Sequence, residues 1–148
     1  MASFRYSFQK IVDLKSSEKT QAEWLLSTAI GALVSEEQSL EQLCEKQREW
    51  EQKLHDASQS AVPLSELQVI QNYLDHLEIC IMNKLTDVRL ARKEVEQCRL
   101  MLSDKMKDEK IWLKAKDHAR ARFQYALQMK EQNELDELAS VRFMLSTP

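Results

Sequence analysis

The residues of this chain with the strongest claim to chemistry are three histidines, His55, His76 and His118, and three cysteines, Cys44, Cys80 and Cys98. A side-chain nucleophile needs a base within hydrogen-bond reach and a group that orients the base, and a structural zinc site needs four ligands, usually in close pairs. The spacing supplies neither. No two cysteines are two residues apart, no histidine pair lies near them, and the neighbours Asp75 and His76 point to different sides of a helix. An odd set of scattered cysteines reads as small apolar fillers in a reducing compartment. Gly31 is the single glycine, so no glycine-rich loop can cradle a phosphate. Carboxylates are plentiful, but on exposed helix faces no pocket shifts their pKa values. These patterns predict no enzyme activity, no metal, no cofactor and no small-molecule substrate.

Binding chemistry is the remaining option. Lys105, Lys107, Lys110, Lys114, Lys116, Arg120 and Arg122 form a basic run, with Asp104, Asp108, Glu109 and Asp117 interleaved. Alternating signs read as a salt-bridged helix surface rather than a phosphate track, so nucleic acid is the weaker reading. The net charge of −3 implies neither a nucleic-acid nor a membrane partner. The longest charge-free stretch, Trp24 to Val34, falls short of the roughly 18–20 apolar residues of a membrane span, and the N-terminus lacks an apolar signal core. No membrane insertion and a cytoplasmic location are expected.

The elements that must position these residues are long helices. One glycine and two prolines, Pro63 and Pro148, leave few tight turns, and 30% of the residues are charged. The profile predicts an all-α fold, an antiparallel two-helix coiled-coil hairpin forming a single domain over 1–148. Helix one is expected over about 8–57, capped by Ser7, with apolar residues stepping by threes and fours through Ile11, Leu14, Ala22, Leu25, Ala29, Leu40, Leu43, Trp50 and Leu54. Glu18, Glu36 and Gln47 interrupt this stripe. Gly31, inside the helix, reads as a close approach to the partner helix or a mild bend. The break is expected at about 58–62, where small polar residues lead into Pro63. Helix two, about 63–140, repeats the spacing through Leu67, Ile70, Leu74, Leu77, Ile81, Leu85, Val88, Ala91, Val95, Cys98, Leu102 and Met106. Folding about the break brings Leu40 to Ile81, Glu36 to Leu85, Ala29 to Ala91, Leu25 to Val95 and Ala22 to Cys98, and gives a paired rod of roughly 75 Å.

Helix one then ends near Phe8, opposite about Trp112, and leaves 114–145 of helix two as an unpaired tail with an apolar stripe through Ala119, Phe123, Ala126, Leu127 and Leu138. The charge is uneven as well. Glu36 to Asn83 sums to −7, whereas Lys84 to Tyr125 sums to +5.

Three segments carry a family resemblance: Phe4-x-Tyr6-x-Phe8-Gln9-Lys10-Ile11-Val12-Asp13-Leu14-Lys15 at the N-terminus, Ser65-Glu66-Leu67-x-x-x-Gln71-x-Tyr73-Leu74-x-x-Leu77-Glu78 after the break, and Asp136-Glu137-Leu138-Ala139-x-x-Arg142 near the end. In this order they resemble the FliJ family, the small coiled-coil component of the bacterial flagellar type III export apparatus. The resemblance spans essentially the whole chain. It implies an antiparallel two-helix coiled coil similar to the central stalk of rotary ATPases. It further implies three partners: a hexameric export ATPase whose assembly and activity the stalk promotes, the cytoplasmic domain of the export gate, and export chaperones. The location it implies is the cytoplasm, peripherally at the inner face of the membrane at the flagellar base.

The same resemblance places a gate-docking face near the hairpin turn, at Leu43, Trp50, Tyr73, Leu77, Cys80 and Lys84; Lys46 stands where some members carry an aromatic. Leu43 and Leu77 also fit a plain core role. A docking surface for the ATPase ring is expected at Phe4, Tyr6, Phe8, Arg120, Arg122, Phe123 and Leu127. A coiled-coil scaffold or tether without an export role, or the equivalent stalk of a virulence-type injectisome, fits the same residues.

Overall fold

The computed structural model describes residues 3–146. Two helices account for nearly all of them: α1, Gln9–Ser58, of 50 residues, and α2, Leu64–Ser146, of 83 residues. No strand occurs among the described residues. The first bonds of α1 are accepted by the Phe8 carbonyl, from Ile11 and Val12 N–H at 3.0 and 3.2 Å, so the cap position falls on Phe8 rather than Ser7. Ser140 does not stop α2, because serine is only a weak helix breaker and Val141 to Leu145 contain no strong one.

The turn at 59–63 needs no glycine. Carbonyls left free at the end of α1 are taken by the Ser58 hydroxyl on His55 (2.7 Å), the Gln59 N–H on Asp56 (3.3 Å), the Ser60 N–H on Ala57 (3.2 Å) and the Ser60 hydroxyl on Asp56 (3.1 Å). Pro63 follows, where its missing N–H costs no helical bond, and its carbonyl accepts from Glu66 N–H at 3.1 Å. No described residue has a positive φ.

The chain divides into two compact units, each built from a segment of both helices. In the unit Gln21–Ser103, the buried or half-buried positions of α1 include Ala22, Leu26, Ala29, Leu33, Glu36, Leu40, Leu43, Gln47, Trp50 and Leu54. Those of α2 include Leu67, Ile70, Leu74, Leu77, Ile81, Lys84, Val88, Ala91, Val95 and Cys98. Both follow an alternating three-four step, the signature of a coiled-coil seam. Ala29, Val95 and Cys98 form a buried cluster with Leu26 and Leu33 against it. Three expectations change here. Leu26 lies on the seam in place of Leu25, and Ala29 packs on Val95 and Cys98, about one turn along from Ala91. Leu85 is 51% exposed, and the seam position beside it belongs to Lys84.

The other unit, Met1–Thr20 with Asp104–Pro148, has a different seam. Val12 is buried, but the next positions toward Thr20 are Lys15, Ser16, Glu18 and Lys19, facing Lys105, Asp108 and Glu109. Met106, expected on the seam, is exposed, and Lys105 takes its place.

Gly31 does not mark a close approach between the two helices. A methyl group built there would meet nothing within 4 Å. An exposed mid-helix glycine costs roughly 1 kcal/mol relative to alanine, and no contact within the chain accounts for it.

Candidate docking surfaces

The interruptions of the apolar stripe are matched in pairs. Lys84 Nζ donates to Glu36 Oε2 at 3.0 Å and lies 3.7 Å from Asp87, and Arg92 reaches Glu37 at 3.4 Å on the flank. In the other unit, Lys105 donates to Glu18 at 3.3 Å, Lys19 to Glu109 at 3.0 Å, and Lys15 lies 3.8 Å from Asp108. The hydrogen bond from Lys105 draws the Glu18 carboxyl below its ordinary value against the opposing effect of burial. Hydrogen bonds from Ser16 and Lys19 do the same for Glu109. Glu36, by accepting from Lys84, raises the lysine pKa above its ordinary value.

The first candidate surface lies beside the turn. Trp50 on α1 and Tyr73 on α2 bring their rings to 4.3 Å at an interplanar angle of 49°. Lys53, one turn after Trp50, places its ammonium 4.4 Å from the centre of the Trp50 ring, a cation–π contact. Trp50 and Lys53 line a shallow groove with Ser65, Glu66, Val69 and Ile70, and Val69 is well exposed. Tyr73 continues to the His76 ring at 6.4 Å, and His76 Nε2 lies 3.5 Å from Cys80 Sγ. Sequence reasoning reached Trp50 and Tyr73 but missed Lys53 and Val69. The three-residue spacing of Trp50 and Lys53 was the available signal.

Not every residue named for this face is free to touch a partner. Leu77 is 3% exposed and Leu43 half-buried in the seam, where they hold the two helices together. Lys84 is held by Glu36 and Asp87. Trp50, Tyr73 and Cys80 are half-buried and retain accessible edges.

The second candidate surface is an aromatic ladder. Residues 3–6 have no regular structure, yet their rings run onto α2: Phe123 to Phe4 at 5.5 Å, Phe4 to Tyr6 at 6.5 Å, Tyr6 to Phe8 at 5.7 Å and Phe8 to Trp112 at 6.1 Å. The Arg120 guanidinium sits 5.6 Å from the Phe4 ring centre. Cover within the chain therefore reaches Phe123, about nine residues past the expected start of the unpaired tail at 114, because the N-terminal segment continues the packing after α1 has ended. Leu127 is the last half-buried residue, and Gln128 to Ser146 are all exposed. Arg122 is exposed in a shallow hollow with His118, Ala121 and Tyr125.

The cysteines are free thiols. Burial pushes the Cys98 thiol up, with Glu94 adding to the effect, which favours a packing role over a nucleophilic one. No three His, Cys, Asp or Glu side chains converge on a metal position among the described residues, and no helix there is long and apolar enough to cross a membrane.

The family model described as flagellar FliJ protein matches residues 4–147. The chain belongs to the FliJ family. The flagellar FliJ protein of Bacillus subtilis strain 168 is 21% identical over 143 residues, covering 97% of each chain. No solved structure matches. In this FliJ-family chain the N-terminal motif forms the aromatic ladder and the first turns of α1. The central motif opens α2 and carries Tyr73, and the C-terminal motif lies in the exposed stretch of α2.

Proposed function

We propose that the chain is a component of the flagellar type III protein export apparatus that acts by docking, as a stalk, and not by catalysis. Its membership of the FliJ family over 4–147 carries this reading. The geometry agrees with it: two aromatic surfaces, one beside the turn and one where the N-terminal segment meets α2, and a helical stretch from Gln128 whose residues are exposed. A helix with an uncovered apolar face is marginal in water and gains stability from a partner.

In this reading the exposed part of α2, with Phe4, Tyr6, Phe8, Arg120, Arg122, Phe123 and Leu127 at its base, enters the hexameric export ATPase and promotes its assembly and activity. The groove beside Trp50 and Tyr73 meets the cytoplasmic domain of the export gate, with Cys80 at its margin. Export chaperones are bound and released by the same molecule, which works in the cytoplasm against the inner face of the membrane at the flagellar base.

Hydrogen exchange on the protein with and without the export ATPase of the same cell tests the first contact. Exchange across 128–146 is fast in the free protein and slows on adding ATPase, and deletion from Gln128 abolishes ATPase stimulation while leaving the melting transition in place. Unchanged stimulation after that deletion overturns the assignment. For the second contact, Trp50→Ala and Tyr73→Ala weaken gate binding by about 2 kcal/mol each, with helical content retained. Loss of helical content in these variants would instead make both rings packing residues.

A further inference from the structure

The N-terminal segment covers α2 in a way that α1 does not. Phe4 and Tyr6 are half-buried, whereas Ser3, Arg5 and Ser7 around them are exposed, which is the period of two of an extended chain. Gln9 N–H donates to the Tyr6 carbonyl at 3.1 Å, where the helix begins. Ahead of that point Phe4 meets α2 through its ring, on Phe123 at 5.5 Å and within 5.6 Å of the Arg120 guanidinium.

Only an extended chain reaches that far. From Trp112 to Phe123 α2 climbs about 16 Å, and Phe8 already sits on Trp112. The steps from Phe8 back to Phe4 span about 13 Å when extended but about 6 Å as helix, so a continued α1 would stop well short of Phe123. The longer reach brings thinner cover. Beneath α1 the α2 residues Leu74, Leu77, Val88, Val95 and Cys98 are buried, whereas no residue of 112–127 is. Trp112, Ala119, Phe123 and Leu127 are half-buried there.

We propose that residues 3–8 are a displaceable strap, which shields 112–127 in the free chain and gives way to a helix of the docking partner that covers the same positions more fully. The proposal rests on the reading that the export ATPase docks at this end. It divides the residues named there into the cover, Phe4 and Tyr6, and the covered, Phe123 and Leu127. The exposed charges along 112–127 are Lys114, Arg120 and Arg122 against Asp117, so the incoming helix is apolar on one face and acidic at its margins. A ring pair and an exposed cation–π contact are each modest, so the strap opens readily. While closed it lowers the partner's apparent affinity in proportion to the fraction of chains that are open.

A brief trypsin pulse on the full chain, read by mass, reports the strap. Cleavage after Arg5 needs the segment free of α2 and tracks the open population. Phe4→Ser speeds this cleavage about three- to tenfold with helicity unchanged, and adding the export ATPase of the same cell speeds it in the unaltered chain. Phe4→Ser also tightens ATPase binding about three- to tenfold, and deletion of residues 2–5 repeats that gain with α2 intact. Weaker binding by both variants, or slower Arg5 cleavage on adding ATPase, would make Phe4 a contact of the partner. Either result overturns the strap and leaves the docking reading in place. Equal binding by all three chains overturns it as well. Absence of binding by all three refutes the docking reading itself, and the strap falls with it.

Discussion

Lys84 and Lys105 occupy seam positions where leucine would bury more apolar area, and each answers an acid on the other helix, Glu36 and Glu18. A charge on a coiled-coil seam tolerates few registers, since any slip leaves it facing an apolar residue. Glu36→Lys alone brings two ammonium groups together and lowers the melting temperature. The exchange Glu36→Lys with Lys84→Glu recovers most of the loss, and a double-mutant cycle read by thermal melts checks both outcomes. The acids also set a pH response. Glu18 and Glu109 have folded pKa values below the ordinary 4.5, so their contribution is complete above that value and disappears as the pH falls through the lowered ones. Lys84 titrates above its ordinary 10.5, so its contribution holds below that value and is lost only at higher pH. Melting temperature measured against pH should fall in the acid limb, and Glu18→Gln should flatten that limb.

At the scale of the element, glycine and seam give two contrasting substitutions. Gly31→Ala fills open space on an exposed helix and stabilises by about 0.5–1 kcal/mol, whereas Leu77→Ala removes a buried seam residue at a cost of about 2–3 kcal/mol. Urea unfolding followed by circular dichroism distinguishes them. The two helices, their break and their antiparallel pairing were legible in the sequence because periodic apolar residues and one proline suffice to predict them. The seam was legible only to within one residue in places. A search for apolar side chains selects Leu85 and Met106, whereas continuing the three-four step strictly selects Lys84 and Lys105, and the structure follows the step. Glu18 and Glu36 looked like faults in the stripe because their partners were sought among apolar residues. At the site, Trp50 and Tyr73 were recognisable as large rings beside the seam. Phe4 was expected on one surface with Phe123, but the contact of their rings was not legible, since no helical spacing governs a segment without regular structure.

For the molecule as a whole, two kinds of seam give two kinds of sensitivity. At about 1 M salt the Debye length shrinks to about 3 Å, which weakens ion pairs that are partly exposed and leaves apolar burial intact. Hydrogen exchange at high salt should lose protection first over 9–20 and 104–112 and last over 21–103, and uniform loss would show that the charged pairs add nothing local.

The single reversal of direction also decides the order in which contacts can form. Each cross-helix pair closes a longer loop than the one nearer the turn: Lys84 and Glu36 are 48 residues apart, Lys19 and Glu109 are 90. Closure entropy grows with that separation, so pairing nucleates beside Pro63 and zips outward, each layer shortening the loop for the next. On the ribosome, α1 is synthesised before any residue of α2, and its N-terminal turns wait longest for their partners. Lys15, Ser16, Glu18 and Lys19 keep that waiting face wet. Polar residues over 15–19 thus reduce the apolar area that the open seam shows before it closes, and the aromatic layers of Phe8 on Trp112 and Phe4 on Phe123 close after them.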